Sequence, residues 1–504
     1  MKRKPNILHL FVDQQRFDTI RALGNSIIKT PNLDRLCREG VAFTNGYSPS
    51  PVCVSARCSM IMGQYPMNTG CMENSRMPTD ERQTFMDALT LAGYRTHGIG
   101  KCHFTPDSHA LRGFQSRERQ EENGAHSLEG EDYLIYLKNK GYDHLCEPMG
   151  VRGEMYYIPQ PSQLPPEDHP TQWIADRSIA FIEQESKTQQ PWYLFSSFIH
   201  PHPPFAPPNP WHKLYRAPLM PLPNVPADVE SLQTYVNRFQ NRYKYRDQGL
   251  DTNLLRCMKA YYYACISFVD YQIGRILDGL ETAGQLDNTL ILFTTDHGEH
   301  LGDYNCFGKR SMHDSCARIP FIVRQPGQFE GGIQCDTPVS LVDIAPTFLQ
   351  TAGAKIDSHS LDGVDLAQLL TGNVSRDHVF AQLAPGRISE VGYAATSTYM
   401  AVSREWKYFY SAPDNQEYLF DKIHDPQETR NKAGLSLCQK PLKQIRGSLM
   451  AYLRETGTVD GLNGDAWKEL PKLHVPTDPD AGLLIQDGYT PWVDTNIPGY
   501  SDEA

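Results

Sequence analysis

The chain has 504 residues, of which 40% are hydrophobic and 21% charged, and this ordinary globular composition excludes disorder over the whole length. Its 48 lysines and arginines against 59 aspartates and glutamates give a formal net charge of −11. General binding to nucleic acid or to an anionic membrane is therefore disfavoured, since both need a basic surface. An anionic substrate stays open, because a few buried cations can outweigh the global charge locally.

The sequence predicts neither a membrane span nor a secreted disulfide-bonded protein. No run reaches the ~18 apolar residues that a membrane helix needs. Near the start, the apolar run covers only Ile7 to Val12 and an acid follows, so a buried strand is favoured over a signal peptide. The twelve cysteines are scattered and form no CxxC motif. We expect reduced, buried thiols and a cytoplasmic location.

The predicted elements alternate between helices and short apolar strands along most of the chain. Such alternation is typical of a large, mostly parallel central sheet that helices sandwich on both faces. The predicted helices cover 30–40, with Gly40 as the C-cap, 83–93 and 253–284; the predicted strands cover 7–12, 94–100, 192–199, 289–295 and a run that begins at Ile319.

The pattern changes after about residue 375. Two stretches near 399–412 and 416–425 resemble antiparallel strands, and one helix is expected from about 437 to 457. We therefore predict a catalytic α/β domain over residues 1–380. Residues 381–504 are predicted to form a small α+β subdomain with an antiparallel sheet, a helix and a wrapping tail. The proline-rich segment 203–226 is interpreted as a surface excursion or lid. The loops 104–130, 150–170 and 203–250 and the C-terminal tail are expected to set specificity.

Two acidic residues follow buried strands directly. Asp13 ends the first apolar run and Asp296 follows the run 289–295, with Gln14 and His297 immediately after them. The carboxyl ends of strands are where ligands bind in open α/β sheets. Oxygen-rich ligation suits a hard divalent ion such as calcium, magnesium or manganese. The alternative is that each aspartate caps a loop or turn.

Cys53 lies in a serine- and proline-rich loop just before a predicted helix. The positive end of a helix dipole activates a thiol at that position. Arg57 follows one helical turn later and can reach back to the same point. A buried cysteine beside a solvated arginine is the alternative.

Three further stretches carry polar groups that could belong to a site. Lys101 and His103 would share one face of an extended chain. His202 lies with His200 in a proline-stiffened loop, where a histidine can also be exposed and without function. Lys309 lies in a glycine-containing loop beyond Asp296, and such a loop after a strand is a strong site candidate.

In order along the chain, these motifs resemble the type I sulfatases of the alkaline-phosphatase superfamily, near the choline-sulfatase-like members and the phosphonate monoester hydrolases. The resemblance covers about residues 5–430. It includes PNILHLFVDQQRFD, SPSPVC, GKCH, HPHPPF, TTDHGEHLGD and the ending EYLFDKIHDPQETRN. It implies an alkaline-phosphatase-like fold and metal-assisted hydrolysis of an ester.

The resemblance also implies a metal site and a modified nucleophile. Asp13, Gln14, Asp296 and His297 match the ligands of one divalent ion, with calcium favoured over manganese or magnesium. Cys53 matches the position that is converted to formylglycine and that faces the metal. One departure concerns the modification motif, usually C-x-P-x-R, which here has Ser55 in place of proline.

The resemblance further assigns roles in hydrolysis. The hydrate of formylglycine, a gem-diol, would attack the sulfur of a sulfate ester while Arg57 supports the diol. Lys101 and Lys309 would hold the sulfate oxygens, and His202 and Lys309 would stabilise or protonate the leaving oxygen. His103 would position or deprotonate the diol. Asn74 is a further candidate for substrate binding.

The sequence thus predicts a sulfatase that hydrolyses a small-molecule or carbohydrate sulfate ester to an alcohol and inorganic sulfate. Its expected partner is a formylglycine-generating or other sulfatase-maturing enzyme. Two alternatives remain at this point. One is a phosphonate monoester or phosphodiester hydrolase on the same scaffold, favoured by the Asp-Gln and Asp-His pairs. The other is a catalytically silent anion-binding homologue, favoured by Ser55.

Overall fold

The computed structural model describes residues 4–475 except 75, 123–130, 143, 146, 153–154, 242–250 and 385–391. Parts of the predicted specificity loops and most of the predicted wrapping tail therefore lie outside the described residues. Of the twelve cysteines, Cys146 lies outside them too. The other eleven are unpaired thiols, as expected. Within the same residues, no helix is both long and apolar enough to cross a membrane.

The strands are β1 (Asn6–Asp13), β2 (Val41–Phe43), β3 (Gly46–Tyr47), β4 (Arg95–Gly100), β5 (Ser116–Glu118), β6 (Trp192–Pro201), β7 (Thr289–Thr295), β8 (Arg318–Ile319), β9 (Phe321–Arg324), β10 (Ile333–Cys335), β11 (Val339–Ser340), β12 (Val379–Leu383), β13 (Thr398–Val402), β14 (Trp406–Ser411), β15 (Gln416–Asp421), β16 (Leu462–Asn463) and β17 (Ala466–Trp467). The α-helices are α1 (Pro31–Glu39), α2 (Cys53–Met62), α3 (Pro66–Thr69), α4 (Phe85–Leu91), α5 (Asp132–Asn139), α6 (Pro170–Glu185), α7 (Val229–Leu232), α8 (Thr252–Thr282), α9 (Asp314–Ala317), α10 (Ile344–Ala352), α11 (Leu366–Thr371), α12 (Gly392–Thr396) and α13 (Gln439–Glu455).

The central sheet has eight strands in the order β10-β2-β9-β7-β1-β6-β4-β5. All neighbours are parallel except β9, which runs antiparallel to both β2 and β7. Strand β1 is buried at every position, which explains why its sequence is a continuous apolar run rather than an alternating one. The predicted mostly parallel sheet is confirmed.

Helices cover both faces of this sheet. On one face, α2, α4 and α10 contribute residues such as Val54, Leu89 and Phe348 to a shared apolar core. On the other face, α1, α6 and α8 contribute residues such as Leu36 and Ile273 to a second core. The predicted sandwich of helices around the sheet is therefore confirmed, and it holds the carboxyl ends of β1, β6 and β7 rigidly side by side.

The run that begins at Ile319 differs from the prediction of one strand. It divides into β8, which joins the small sheet β11-β3-β8, and β9, which joins the central sheet. The division falls at Pro320. Proline has no backbone N–H to donate to a neighbouring strand, so it interrupts a sheet ladder.

The C-terminal part contains an antiparallel sheet in the order β12-β13-β14-β15. The expected strands and helix of this region are present, and α13 packs against one sheet face through Leu442, Ile445 and Leu449. The opposite face packs against Val52 and Met312. Val52 directly precedes Cys53, and Met312 lies three residues after Lys309. The C-terminal sheet thus supports the loops that carry Cys53 and Lys309.

Candidate active site

The carboxyl ends of β1 and β7 bring two buried carboxylates together. The strands pair in parallel with Val12 opposite Thr295, so Asp13 and Asp296 lie at the same edge of the sheet. Arg57 joins them, because its Nε donates to Asp296 Oδ2 at 3.0 Å and its Nη2 donates to Asp13 Oδ2 at 3.2 Å. The expectation that these two strand ends meet is confirmed.

Gln14 and His297 lie beside the two carboxylates. His297 Nε2 is 3.6 Å from Asp296 Oδ1 and 3.9 Å from Asp13 Oδ1. The backbone N–H of Gln14 donates to Asp296 Oδ1 at 3.1 Å, and its side-chain Oε1 accepts from Lys309 Nζ at 2.9 Å. The amide oxygen of Gln14 therefore faces the same space as the carboxylates.

The donor atoms at this point form one compact group. Asp13, Cys53, Asp296 and His297 each offer one atom, and the four atoms all lie within 4.8 Å of one another. Two carboxylates supply the negative charge and the oxygen ligands that divalent ions favour, and imidazole nitrogen is compatible with several of these ions. The donor chemistry of the group therefore fits a divalent metal ion.

Cys53 is the first residue of α2 and is buried. Its Sγ is 3.2 Å from His297 Nε2, and Lys309 Nζ lies 2.8 Å from the same sulfur. Burial raises the pKa of the thiol, and so does the Asp13 carboxylate. The positive charges of Lys309 and Lys101 outweigh both effects and bring the pKa of Cys53 well below its usual value. The sulfur is thus held where negative charge is stabilised.

Ser55, which stands in place of the usual proline, lies in the first turn of α2. Its hydroxyl donates to the carbonyl oxygen of Cys71. The backbone N–H groups of the first helical turn have no partner within the helix, so this position accommodates serine or proline without loss of a helical hydrogen bond. The departure from the motif therefore leaves the local fold intact.

Lys101 and His202 converge on an acid that sequence reasoning missed, Glu122. Lys101 is fully buried, its Nζ donates to Asp13 Oδ2 at 2.6 Å, and it also donates to Glu122 Oε1. His202 Nε2 lies 3.1 Å from the same Glu122 oxygen. Arg152 Nη2 is 3.8 Å from the other oxygen of this carboxylate. Glu122 belongs to the loop 104–130. Its place in a predicted specificity loop is the sequence feature that could have identified it.

The contact between His202 and Glu122 requires a proton. His202 Nδ1 lies 2.7 Å from the carbonyl oxygen of Pro203, which can only accept, so Nδ1 carries a hydrogen. An unprotonated Nε2 and a carboxylate would both be acceptors, so a second proton lies between them. Burial lowers the pKa of His202, and the Glu122 carboxylate counteracts this effect by stabilising the imidazolium.

Two further buried residues lie in the loop around Lys309, and the sequence prediction named neither. Glu299 is fully buried and accepts from Gln14 Nε2, from the Tyr157 hydroxyl at 3.1 Å and from the Gly308 N–H at 2.5 Å. It therefore fixes the loop on which Lys309 is held. The second is Arg310, next to Lys309 and buried. Glu299 and Arg310 both lie within the polar stretch 296–314, and this polar composition was the sequence signal that could have identified them.

Asn74 and His103 lie in different surroundings. Asn74 Oδ1 accepts the N–H of Val54 at 2.8 Å, so it caps α2 directly beside Cys53. His103 has a φ of 55°, which departs from the expected extended chain after Lys101. Its ring Nδ1 is buried, and within the described residues it has no hydrogen-bond partner.

His200 has different contacts from His202. Its ring lies 5.0 Å from the ring of His169, and its Nδ1 lies 3.4 Å from the Thr171 hydroxyl. A bulge in the pairing of β6 with the end of β1 accompanies this divergence.

Two family models match the chain. The model described as "Sulfatase" matches residues 5–354. The model described as "N-sulphoglucosamine sulphohydrolase, C-terminal" matches residues 302–455. Together they cover the central sheet, the residues described above and the C-terminal sheet.

Curated relatives and solved structures agree with these matches. An arylsulfatase of Clostridium perfringens is 29% identical over 91% of this chain and 96% of its own. A choline-sulfatase of Rhizobium meliloti is 30% identical over 85% of this chain and 82% of its own. Among solved structures, the phosphonate monoester hydrolase of Agrobacterium radiobacter has a TM-score of 0.78 at 25% identity, over 90% of this chain and 96% of that one.

Proposed function

The chain belongs to the sulfatase family and hydrolyses sulfate esters, and from this premise we propose that Cys53, matured to formylglycine, provides the nucleophile beside a divalent ion. One observation carries the proposal: the Cys53 sulfur lies at a helix N-terminus within the group of Asp13, Asp296 and His297. The hydrate of formylglycine supplies one hydroxyl for attack on sulfur and a second hydroxyl for release of sulfate.

The residues proposed to hold the ion are Asp13, Gln14, Asp296 and His297, together with the matured Cys53. Calcium is the preferred ion, since most of these ligands offer oxygen, with magnesium and manganese as the alternatives. When bound, the ion supplies positive charge that lowers the pKa of a neighbouring hydroxyl and offsets the charge of the sulfate. Arg57 orients both carboxylates through the hydrogen bonds described above.

Two buried lysines are proposed to bind the sulfate group. Lys309 Nζ lies 2.8 Å from Cys53 Sγ, and Lys101 Nζ lies 2.6 Å from Asp13 Oδ2, so the ammonium groups flank the position of the nucleophile. Fixed cations in a buried pocket stabilise the negative charge that develops on the oxygens during attack.

His202 is proposed to deliver a proton to the leaving oxygen. Its contact with Glu122 requires a proton between the two groups, so the histidine has a proton available at Nε2. Lys309 would assist by stabilising the same oxygen. His103 is proposed to orient the nucleophile, and Asn74 to position it through the N-terminus of α2.

Three wider assignments belong to the same proposal. We assign residues 1–380 to the catalytic domain and 381–504 to the C-terminal subdomain, with the boundary close to the first residue of β12, Val379. Maturation would need a formylglycine-generating or other sulfatase-maturing enzyme. A cytoplasmic location is supported by the eleven unpaired cysteines of the described residues, which fit a reducing compartment.

A second candidate is hydrolysis of phosphonate monoesters or phosphodiesters. The likeness to a phosphonate monoester hydrolase structure and the Gln14 and His297 ligand pairs favour it. Sulfate and phosphonate esters both place oxyanions around a tetrahedral centre, so the same cations could serve either substrate.

A panel of 4-nitrophenyl sulfate, choline sulfate, a sugar sulfate and a phenylphosphonate monoester tests the proposal. We expect kcat/KM to be highest for a sulfate ester, and the variants Cys53→Ala and Cys53→Ser both to lose turnover by at least roughly 1,000-fold. Cys53→Ser is the matched control because it keeps a single hydroxyl. Faster turnover of the phosphonate would contradict the preference for sulfate. An active Cys53→Ser variant would contradict the proposal that the nucleophile is the formylglycine hydrate.

A further inference from the structure

Arg310 is a buried arginine whose side chain has no ion-pair or hydrogen-bond partner among the residues that the structure describes. The residue directly follows Lys309 in the sequence and is only 8% exposed. Within the part of the chain that the structure describes, its guanidinium forms no ion pair and no side-chain hydrogen bond. Arg57, by contrast, is 1% exposed and binds two carboxylates. A buried guanidinium normally requires such partners, since removal from water is unfavourable for a charge.

The backbone holds Arg310 in an unusual conformation. Its φ is 70°, in the left-handed region that L side chains rarely adopt. Its N–H donates at 3.0 Å to the carbonyl oxygen of Pro51, two residues before Cys53. The loop of Arg310 and the loop of the nucleophile are thus joined directly. Strain of this kind persists where the surrounding structure fixes it, often at ligand sites.

The loop of Arg310 lies next to the nucleophile, because Lys309 contacts the Cys53 sulfur and the Arg310 N–H binds Pro51. Burial lowers the pKa of Arg310, and the groups whose charges act on it are Cys53, Tyr156, Tyr157 and Glu73. Tyr156 also contacts His202, with its hydroxyl 3.5 Å from Nε2. Since His202 is proposed to protonate the leaving oxygen, the link through Tyr156 associates Arg310 with the side of the site that would receive the alcohol part of the substrate.

Resting on the proposed sulfatase function, we propose that Arg310 binds a second anionic group, a carboxylate or a further sulfate, on the alcohol part of the substrate. The sulfate under attack already has two ammonium groups beside the nucleophile, Lys101 and Lys309. The planar guanidinium offers paired N–H donors that match the two oxygens of a carboxylate or sulfate. The preferred substrates are therefore sulfate esters of acidic sugars or of other anionic alcohols.

The test compares Arg310→Met and Arg310→Lys with the wild type on 4-nitrophenyl sulfate, on an aryl sulfate that carries a ring carboxylate and on a disulfated sugar. For the two dianionic substrates we expect KM to rise about 10- to 100-fold in Arg310→Met, the range for loss of a charge-assisted hydrogen bond. For 4-nitrophenyl sulfate we expect kcat and KM to stay within about 3-fold, while Arg310→Lys recovers part of the loss. A comparison of the carboxylated substrate with the disulfated one shows whether Arg310 prefers a carboxylate or a sulfate.

Arg324→Met is the matched control. Arg324 is 7% exposed, like Arg310, but its guanidinium donates to Leu286 O at 2.7 Å and to Asp287 Oδ1 at 2.8 Å. We expect Arg324→Met to lower the thermal unfolding midpoint and to leave the ratio of KM values unchanged. Arg310→Met should raise that midpoint, because it removes a buried charge that has no partner.

Four outcomes would contradict the inference. An equal rise of KM for all substrates in Arg310→Met would assign Arg310 to the reacting sulfate. A fall of its unfolding midpoint to match Arg324→Met would make it a structural residue. A wild type that turns over monoanionic and dianionic esters equally would also contradict it, while leaving the sulfatase function in place. A wild type that hydrolyses no sulfate ester would contradict both.

Discussion

His202 and Glu122 share a proton, and in the proposed mechanism this pair supplies the proton to the leaving oxygen. The Nδ1 of His202 is committed to the Pro203 carbonyl, so only Nε2 is available for chemistry. The same Glu122 oxygen that meets Nε2 also accepts from Lys101. The Glu122 carboxylate favours the imidazolium, but burial is the larger effect and lowers the pKa of His202 well below its usual value, so the proton between the two groups is readily transferred.

Replacement of Glu122 by glutamine should therefore weaken proton donation selectively. The glutamine side chain can donate to an unprotonated Nε2, so His202 would lose its proton without loss of packing. We expect kcat for sulfate esters of poor leaving groups, such as alkyl alcohols, to fall roughly 100-fold or more, and kcat for 4-nitrophenyl sulfate to fall far less. Steady-state kinetics over a series of leaving groups measures the difference.

Glu121→Gln is the matched control for this prediction. Glu121 is also buried, but it accepts from the N–H groups of Cys102 and His103 and from Arg117. Its replacement should change all leaving groups by a similar factor. If Glu122→Gln behaved in the same way, Glu122 would be a structural residue.

Three of the predicted site residues differ in a physical respect from Glu122 and Arg310, which the sequence did not predict. Asp13, Asp296 and Cys53 stand at the ends of a strand or at the start of a helix, and such positions follow from local sequence patterns. Glu122 and Arg310 stand within loops, where position depends on packing between distant segments rather than on local pattern. A sequence alone does not indicate which loop acid meets which base.

At the level of elements, apolar runs predicted strands and helices well where tertiary contacts agreed with local preference. Strand β1, helix α8 and strand β7 lie within a few residues of the expected ranges. The run from Ile319 did not form one strand, because Pro320 divides it between two sheets. His103 left the extended conformation, because its N–H is bound by Glu121.

Strand β14 carries a buried lysine that ties the C-terminal sheet to the loop of Lys309. Lys407 is fully buried, and its Nζ donates to Met312 O and to Asp314 Oδ1, both at 2.8 Å. It also pairs with Glu428, whose Oε2 accepts the Asp314 N–H at 2.7 Å. Two of the residues that Lys407 contacts, Met312 and Asp314, lie three and five positions after Lys309.

We predict that Lys407→Met destabilises the fold and weakens catalysis together. The variant leaves Glu428 buried without its cation and leaves Asp314 only the longer pair with Arg318 at 3.4 Å, which costs about 3–5 kcal/mol of the free energy of unfolding. Denaturant unfolding and kcat on 4-nitrophenyl sulfate measure the two effects.

Lys432→Met provides the comparison, because Lys432 pairs with Asp421 at 2.9 Å nearer the surface and should contribute less than about 1 kcal/mol. Equal stability of the two variants would contradict the role assigned to Lys407.

For the whole molecule, the net charge of −11 and the proposed anionic substrate are compatible. Arg57, Lys101 and Lys309 lie buried at the site beside Asp13, Asp296 and Glu122, so cations are fixed next to the nucleophile despite the overall negative charge. The global charge predicts that polyanions are poor partners, but it does not indicate which charges are buried together. These groups meet because the sheet brings together residues that are distant along the chain.

The C-terminal sheet and the catalytic part share one apolar core, in which Val52 and Met312 pack against Met400 and Phe409. The change in the pattern of predicted helices and strands could indicate a change of architecture near residue 375. It could not indicate that the smaller sheet is needed to support the site, since that depends on contacts between the two parts.

The central claim is that catalysis depends on the aldehyde derived from Cys53, and peptide mass spectrometry tests it most directly. The measurement is made on protein that has been shown to release inorganic sulfate from a sulfate ester. We predict that the peptide containing residues 48–64 shows the mass loss expected for conversion of the Cys53 thiol to an aldehyde. An unmodified Cys53 thiol throughout fully active protein would contradict the account.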